Sequence, residues 1–219
     1  MAATATAWAV VVAAGTGTRF GGYKQFAALG GREVLDWSLE AACRHCAGTV
    51  LVLPYSMVPS YRGRAQLVVA GGETRTASVA AGLRAVPEEA EVVVVHDAAR
   101  PLAGEALWHQ VISAVLEGAD AAVPCLPVTD TIKQRGTDGR LATLDRSLLV
   151  AAQTPQAFSA GALRAAHAAA AIAGKQATDD AALIEAMGGA VVSVNGEKSN
   201  LKLTDKVDLA VAEALLGAR

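Results

Sequence analysis

The chain alternates between two patterns of apolar residues. Short continuous runs rich in valine, such as residues 92–95, are typical of strands buried on both faces, whereas apolar residues every three or four positions are typical of helices. The first pattern predicts strands at residues 8–12, 49–53, 67–69, 92–96, 121–124, 191–194 and 201–203. The second predicts helices at residues 34–44, 76–84, 104–116, 160–173, 179–186 and 206–216.

Strands that alternate with helices imply an α/β fold, a Rossmann-like and mostly parallel sheet with helices on both faces. The length of 219 residues suits a single domain, 1–219. One segment breaks the alternation, because residues 130–135 and 140–145 are mostly polar, strand-compatible runs on either side of a glycine-containing turn. A polar hairpin cannot bury itself in a core. We therefore predict a protruding β-hairpin arm at about residues 128–150 that serves dimerisation or covers the site.

Composition excludes two classes of partner. The chain is 53% hydrophobic with a formal net charge of −2, so it lacks the positive field that nucleic acid or an anionic membrane surface would require. Its longest apolar runs are too short to span a bilayer, and its first residues do not resemble a signal peptide. We expect a cytoplasmic protein with no nucleic-acid and no membrane partner.

The cysteines do not indicate redox or metal chemistry. An odd number, three, makes no disulfide framework, and the pair Cys43 and Cys46 has no second pair to complete a metal site. The pair also lies at the end of a predicted helix, where the helix dipole does not favour a thiolate. A structural interpretation of both cysteines is therefore favoured.

Candidate chemistry begins with the glycine-containing loop after the first predicted strand. Residues 13–19 include Gly15 and Gly17, which let backbone amides approach phosphate oxygens, and Arg19 and Lys24 add positive charge. An ordinary tight turn remains the alternative. A dinucleotide-binding loop would need glycine in place of Phe20 and an acid at the end of the second strand, which this sequence lacks. Residues 22–25 likewise fail the pattern of a Walker loop.

Six motifs in fixed order carry a family resemblance. They occupy residues 13–25, 71–79, 96–101, 130–133, 153–156 and 200–204. Together they resemble the 2-C-methyl-D-erythritol 4-phosphate cytidylyltransferases, a family of the nucleotidyltransferases that activate sugars and polyols. The resemblance runs from about residue 8 to residue 216. It implies a reaction of CTP with a polyol phosphate, in a homodimer.

The resemblance also implies residue roles. Those that would bind the nucleotide are Ala13, Ala14, Gly15, Gly17, Gly72, Arg75 and Ser78. Those that would act as catalytic cations on the phosphates are Arg19, Lys24 and Lys202. Those that would surround the polyol phosphate are Asp97, Arg100, Thr131, Thr178 and, from the arm of the neighbouring subunit, Arg146. Asp97, Thr131 and Thr178 also suit ordinary turns, strand ends and helix starts.

The chemistry of such a reaction agrees with these residue types. A phosphate monoester is already an anion, so the enzyme needs no base and must instead position two polyanions and stabilise their charge. Mg²⁺ would bridge the CTP phosphates, keep several waters and need few carboxylates, in agreement with the lack of a dense acidic cluster. We assign no residue as a metal ligand.

The sequence departs from the family pattern at two positions, and three alternative functions stay open. Tyr23 stands where the family commonly has proline, and Ala151 stands where it often has arginine, which puts loop rigidity and local packing in question. A ribitol 5-phosphate cytidylyltransferase would share the nucleotide half of the site. The fold pattern alone would also suit an NAD-dependent oxidoreductase or a catalytically silent binding module, although the glycine spacing counts against the first and the retained cations against the second.

Overall fold

The computed structural model of the chain describes residues 7–218, without the side chain of Arg19. Its strands are β1 (Ala7–Val12), β2 (Ala28–Leu29), β3 (Arg32–Glu33), β4 (Gly48–Leu53), β5 (Leu67–Ala70), β6 (Val92–Asp97), β7 (Ala121–Pro127), β8 (Lys133–Arg135), β9 (Leu141–Thr143), β10 (Val150–Ala152), β11 (Gln156–Ser159) and β12 (Val191–Asn195). Its α-helices are α1 (Val34–His45), α2 (Arg75–Ala85), α3 (Glu105–Leu116), α4 (Ala160–Ala173), α5 (Ala181–Glu185) and α6 (Lys206–Gly217).

The central sheet has eight strands in the order β10-β7-β11-β6-β1-β4-β5, with β12 beside β7. Strand β1 pairs in parallel with β4 and β6, and β4 pairs in parallel with β5. Strand β11 is antiparallel to both of its neighbours, β6 and β7, so those two run in the same direction. The carboxyl ends of β1, β4, β5, β6 and β7 therefore meet at one edge. The predicted α/β fold with a mostly parallel sheet is confirmed.

Helices cover both faces of the sheet, as the continuous apolar runs predict. Alternate residues of one strand enter opposite cores: Val11 and Val94 pack on the side of α1 and α3, whereas Val10 and Val93 pack on the side of α2, α4 and α5. All four side chains are fully buried. Each such burial contributes roughly 1.5–3 kcal/mol to folding, which explains why strands with two buried faces hold so many valines.

Two sequence predictions about the sheet and its helices need correction, and two strands of the sheet were not predicted. The predicted strand at residues 201–203 is wrong, because this segment pairs with no strand. Leu203 instead donates its N–H to the Ala99 carbonyl (2.8 Å) and buries its side chain under α6. The antiparallel strands β10 and β11 were not predicted, since each is only three or four residues long. The helix predicted at 179–186 begins later, after Asp180.

The arm is a two-stranded hairpin separate from the central sheet. Strands β8 and β9 pair antiparallel, with Lys133 opposite Thr143. The turn closes where the Gly136 N–H donates to the Arg140 carbonyl (2.8 Å), and Gly139 has a φ of 80°, which favours glycine. Both strands are exposed throughout. The predicted hairpin is thus present, with its polar residues in solvent.

Cys46, the residue after α1, is buried and structural. Burial, with a smaller contribution from Cys43, raises the pKa of the Cys46 thiol to about 12, so this thiol stays protonated and unreactive. Within residues 7–218 every helix is too short or too polar to cross a membrane.

Candidate functional site

A cavity of about 400 Å³ opens at the carboxyl ends of the parallel strands. The chain passes from β1 to β4 and β5 on one side and then returns to β6 on the other, so the cavity lies at the point where strand order reverses. Loops after β1, β5 and β6 form its walls. The lining residues include Ala13, Ala14, Gly15, Lys24, Gly72, Arg75, Ser78, Asp97 and Lys202. Nine of the predicted site residues are therefore brought to one cavity.

The loop after β1, residues 13–17, forms a bend held by Gln25. This side chain is buried, and its Nε2 donates to the carbonyls of Ala13 (2.7 Å) and Gly15 (2.9 Å). In a trans peptide the N–H points opposite to the carbonyl, so the amides of Ala14 and Thr16 point away from Gln25. Both residues line the cavity, and such a row of amides suits an anion. Sequence reasoning quoted Gln25 within a motif but gave it no role.

Gly17 shapes the bend and does not line the cavity. Its φ is 63°, and a Cβ at this position would lie 2.0 Å from the Gly22 carbonyl oxygen. Only glycine fits there. The next residues form a 3-10 turn, Thr18–Phe20, on which Arg19 lies; its predicted catalytic side chain lies outside the described part of the chain.

Lys24 reaches the cavity from a second 3-10 turn, Lys24–Phe26. Its Nζ donates to the Leu203 carbonyl at 2.7 Å, which ties the start of the chain to the segment before α6. Tyr23, directly before this turn, has a φ of −71°. Because that is close to the φ that proline would fix, the departure from the family pattern leaves the backbone geometry intact.

Asp97, the last residue of β6, is the centre of the charged groups in the cavity. Its Oδ2 accepts from Lys202 Nζ at 2.6 Å, and its Oδ1 lies 3.4 Å from Arg75 Nε. Burial alone would raise the pKa of this carboxyl, but Arg75 and Lys202 outweigh burial and hold the pKa well below its usual range. Asp97 is therefore ionised at neutral pH and holds Lys202 at the cavity wall.

His96 lies behind Asp97 and is fully buried. Its Nε2 faces the Arg100 carbonyl at 3.2 Å, which can only accept, so Nε2 carries the proton of the neutral ring. Its Nδ1 then accepts from the Thr154 hydroxyl (3.1 Å), which in turn accepts from the Asp97 N–H (3.0 Å). Thr154 thus fixes the backbone of Asp97, a role that sequence reasoning missed.

His96 gives the protein a testable pH dependence. Burial lowers the pKa of His96 from 6.5 to about 4, with Asp97 opposing the shift. Because the unfolded chain binds this proton more readily, the free energy of unfolding falls as pH drops from about 6.5 to about 4. We expect His96→Gln to show a shallower loss across this window, measured by urea unfolding at several pH values.

The control for that experiment is His109→Gln, at an exposed position on α3. It should change the slope less than His96→Gln does; a slight change is expected because its ring contacts His45 and contributes, after burial, to the lowered pKa of that residue. Burial also lowers the pKa of His45, so some slope will remain in the His96→Gln protein. A slope unchanged by His96→Gln would show that the buried ring does not govern the acid sensitivity.

The loop between β5 and α2 brings Gly71 and Gly72 against the bend, and Ser78 in the first turn of α2 contacts this loop. A Cβ on Gly71 would lie 2.4 Å from the Ala14 Cβ, so the two loops can only approach this closely with glycine. The Gly72 N–H donates to Ser78 Oγ, and the Ser78 hydroxyl donates to the Gly72 carbonyl, both at 3.2 Å. Ser78 is buried, and its hydroxyl therefore holds the conformation of the loop.

Arg100 holds the segment that delivers Lys202. Its Nη1 donates to the Asn200 carbonyl at 2.8 Å and its Nη2 to the Ala152 carbonyl at 3.3 Å. Asn200, which is fully buried, donates in turn to the Thr154 carbonyl at 2.9 Å. In this structure the guanidinium of Arg100 binds backbone and does not line the cavity.

Besides Arg100, three predicted substrate residues are not brought to the cavity within one chain. Thr131 and Thr178 lie in irregular segments outside the cavity wall. Arg146, at the base of the arm, donates to the Thr129 carbonyl and lines a separate cavity of about 420 Å³ between β7, β10 and β12. Ala151 lies on β10 opposite Leu126 and is exposed.

The cavity contains cationic side chains and lies where the strand order of a Rossmann-like sheet switches. These two features place the protein in the class of α/β proteins that bind phosphorylated ligands at that edge of the sheet. A family model described as IspD, 2-C-methyl-D-erythritol 4-phosphate cytidylyltransferase, matches residues 7–218. The chain belongs to this family.

Similar proteins agree with the family match. A 2-C-methyl-D-erythritol 4-phosphate cytidylyltransferase of Rubrobacter xylanophilus is 42% identical, covering 96% of this chain and 95% of the relative. The crystal structure of the Thermus thermophilus protein of the same name has a TM-score of 0.83 at 38% identity, covering 95% of this chain and 98% of that one. The bifunctional enzyme IspD/IspF of Nitratidesulfovibrio vulgaris is 44% identical over 94% of this chain; the chain spans 57% of its length. These matches favour neither the ribitol phosphate nor the NAD alternative.

Proposed function

We propose that this protein transfers CMP from CTP to 2-C-methyl-D-erythritol 4-phosphate, forming 4-diphosphocytidyl-2-C-methyl-D-erythritol and pyrophosphate. Family membership supports the reaction. The main structural support for this reaction in the present chain is the cavity in which the amide-lined bend, Lys24 and the Asp97-bound Lys202 meet. In the same proposal, Gly72 and Ser78 shape the pocket for cytosine, and Asp97 contacts the polyol phosphate.

The reaction is an in-line displacement that needs no protein base. An oxygen of the substrate phosphate, already an anion, attacks the α-phosphorus of CTP and forms the new P–O bond. The bond from that phosphorus to the bridging oxygen breaks, and pyrophosphate leaves with the electron pair. Amides of the bend orient the triphosphate, and Lys24 and Lys202 stabilise the charge that develops, as in other phosphoryl transfers.

Mg²⁺ belongs to the proposal as the ion that neutralises triphosphate charge when bound. Among residues 7–218 no three His, Cys, Asp or Glu side chains converge as a metal cage. Asp97 and Glu73 are carboxylates that line the cavity, and either could contact the ion or its waters. A site with few protein ligands fits Mg²⁺ because this ion retains water and binds substrate phosphates readily.

We also propose a cytoplasmic homodimer in which Arg146 reaches the active site of the partner subunit. The exposed arm supports this, because apolar side chains on it and at its base are uncovered: Leu141 is 61% exposed, Leu148 82% and Val150 60%. Arg146 itself lies outside the cavity of its own chain.

Mixing two inactive variants tests the shared site. Lys24→Ala and Arg146→Ala homodimers should both be strongly impaired. Heterodimers formed by mixing equal amounts under exchange conditions contain one intact site, so the mixture should regain about a quarter of wild-type activity. Sedimentation analysis would establish the dimer. An active Arg146→Ala homodimer, or no recovery in a verified heterodimer, contradicts the crossed arrangement.

Pyrophosphate release tests the reaction itself. Four ribonucleoside triphosphates are paired with 2-C-methyl-D-erythritol 4-phosphate or ribitol 5-phosphate, with Mg²⁺ present. The proposal expects release only with CTP and, of the two polyol phosphates, mainly with 2-C-methyl-D-erythritol 4-phosphate. Preference for ribitol 5-phosphate would move the substrate assignment, and no release with CTP would contradict the proposal.

A further inference from the structure

Asp180 is a buried carboxylate next to the active site that the proposed reaction does not use. It is 1% exposed and precedes the first residue of α5. Its Oδ2 accepts from Arg75 Nη1 at 2.7 Å, and its Oδ1 accepts from His167 Nε2 at 2.9 Å. The two oxygens thus join α2, α4 and α5 at one point. Such a buried carboxylate, with a charged or N–H partner on each oxygen, loses free energy of interaction if it moves away from those partners, so its position is fixed.

Arg75 connects this carboxylate to the cavity. It is the first residue of α2, and its guanidinium lies between two acids, with Nη1 on Asp180 and Nε on Asp97. Lys202 contacts Asp97 from the other side. Because Asp180 and Asp97 are matched by Arg75 and Lys202, the group of four has no net formal charge. Removing the charge of Asp180 would leave Arg75 to close on Asp97.

A second contact fastens the same segment to α2. Thr76 Oγ1 donates to the Ala177 carbonyl (3.3 Å) and accepts from the Ala177 N–H (3.2 Å). The segment between Ala177 and Asp180 therefore has a second anchor on α2 that does not involve Arg75. Loss of the pairing between Asp180 and Arg75 should then free the guanidinium without releasing residues 177–180.

We propose that Asp180 is a positioning residue that acts through Arg75: its short pairing with the guanidinium limits the Arg75–Asp97 contact to one long hydrogen bond of 3.4 Å, so that the Asp97 carboxylate stays available to the polyol phosphate. His167 fixes the second oxygen of Asp180 and so sets the direction from which Arg75 is held. The inference rests on the proposed function, because the change that it predicts in KM assumes that Asp97 contacts the polyol phosphate.

Kinetics of a double-mutant cycle test the inference. Asp180→Asn keeps the shape of the side chain and removes its charge. It should raise KM for the polyol phosphate about tenfold, the size of one lost hydrogen bond to a charged group, with little change in KM for CTP. If Asp180 acts through Arg75, Asp180→Asn should add nothing in an Arg75→Gln background. Additive losses, or an unchanged KM in the single variant, would overturn the inference.

The matched control is Asp120→Asn. The Asp120 carboxylate likewise accepts a hydrogen bond, here from a backbone group, the Ala190 N–H at 2.8 Å, and Asp120 precedes β7 at the amino end of that strand. Its loss should leave both KM values unchanged. An equal rise of KM in Asp120→Asn would show a general effect of removing an acid.

A measurement on the unmodified protein keeps the test independent of activity and of the folding of Asp180→Asn. The ¹⁵N spectrum should contain an Arg75 Nη–H signal, identified by its disappearance in Arg75→Lys, that exchanges slowly with solvent because Nη1 donates to the buried Asp180 carboxylate. Fast exchange in the wild-type protein overturns the inference. A slow signal together with no CMP transfer would instead refute the proposed reaction and leave the position of Arg75 established.

Discussion

Replacing Lys24 with alanine is expected to lower kcat about 10²–10³-fold, the loss seen when a single charge-stabilising donor is removed from an active site. The structure gives the reason, since Lys24 Nζ lies at the cavity wall, 2.7 Å from the Leu203 carbonyl. When the triphosphate binds, the ammonium can turn from that carbonyl to the phosphate oxygens, and its attraction to them strengthens as charge develops in the transition state. Pyrophosphate release at saturating CTP measures the loss.

Lys175→Ala controls for the removal of a positive charge. Lys175 is exposed, follows α4 and does not line the cavity of about 400 Å³. It should leave kcat within about twofold of wild type, as surface substitutions usually do. Near-normal turnover by a folded Lys24→Ala protein would refute the role of this cation.

Lys202→Met carries the second large effect, again expected at about 10²–10³-fold in kcat. Methionine keeps a flexible chain of similar length and lacks the ammonium that pairs with Asp97 at 2.6 Å. Two consequences follow: the substrate loses a cation, and Asp97 loses one of the cations that lower its pKa, so the pKa of Asp97 should rise towards its usual range. The rate is measured by pyrophosphate release and the carboxyl by NMR titration.

Lys198→Met is the matched control for Lys202, because it lies four residues earlier in the same segment and does not line the cavity. It should retain wild-type kcat. If Lys198→Met and Lys202→Met lose activity equally, the loss comes from the segment as a whole and the assignment of Lys202 fails.

The sequence was sufficient for the main architecture because a buried parallel sheet leaves a strong local pattern. Residues 92–95 are all valine and all buried, and the pattern alone assigned β6. Strands β10 and β11 were not predicted because they leave only a weak local pattern. They are short, and β11 contains buried Gln156, so their apolar pattern is weak. Their pairing with β7 and β6 is decided by tertiary contacts.

The site divides in a similar way. Gly15, Lys24 and Lys202 could be predicted as site residues because motifs mark them, although the two lysines lie 178 positions apart (202 − 24) in the sequence. Asp180 had no such signal, because its partner Arg75 lies 105 residues earlier and nothing local distinguishes a pairing acid from a helix cap. Gln25 was visible as part of a motif, but its two carbonyl partners became evident only in three dimensions.

Arg100 shows where assignment by family motif reaches its limit. Its position suggested a contact with the polyol phosphate, yet the structure gives its guanidinium two backbone carbonyls, those of Asn200 and Ala152. The contact with substrate stays a prediction. Thr131 and Thr178 likewise stay predictions, since neither lines the cavity of its own chain.

A crystal structure with CTP and Mg²⁺ bound would show whether the bend after β1 is the triphosphate site. We predict triphosphate oxygens within hydrogen-bonding distance of the Ala14 and Thr16 amides, with the ammonium groups of Lys24 and Lys202 on either side of the α-phosphate. A nucleotide bound elsewhere, with the bend empty, would contradict it.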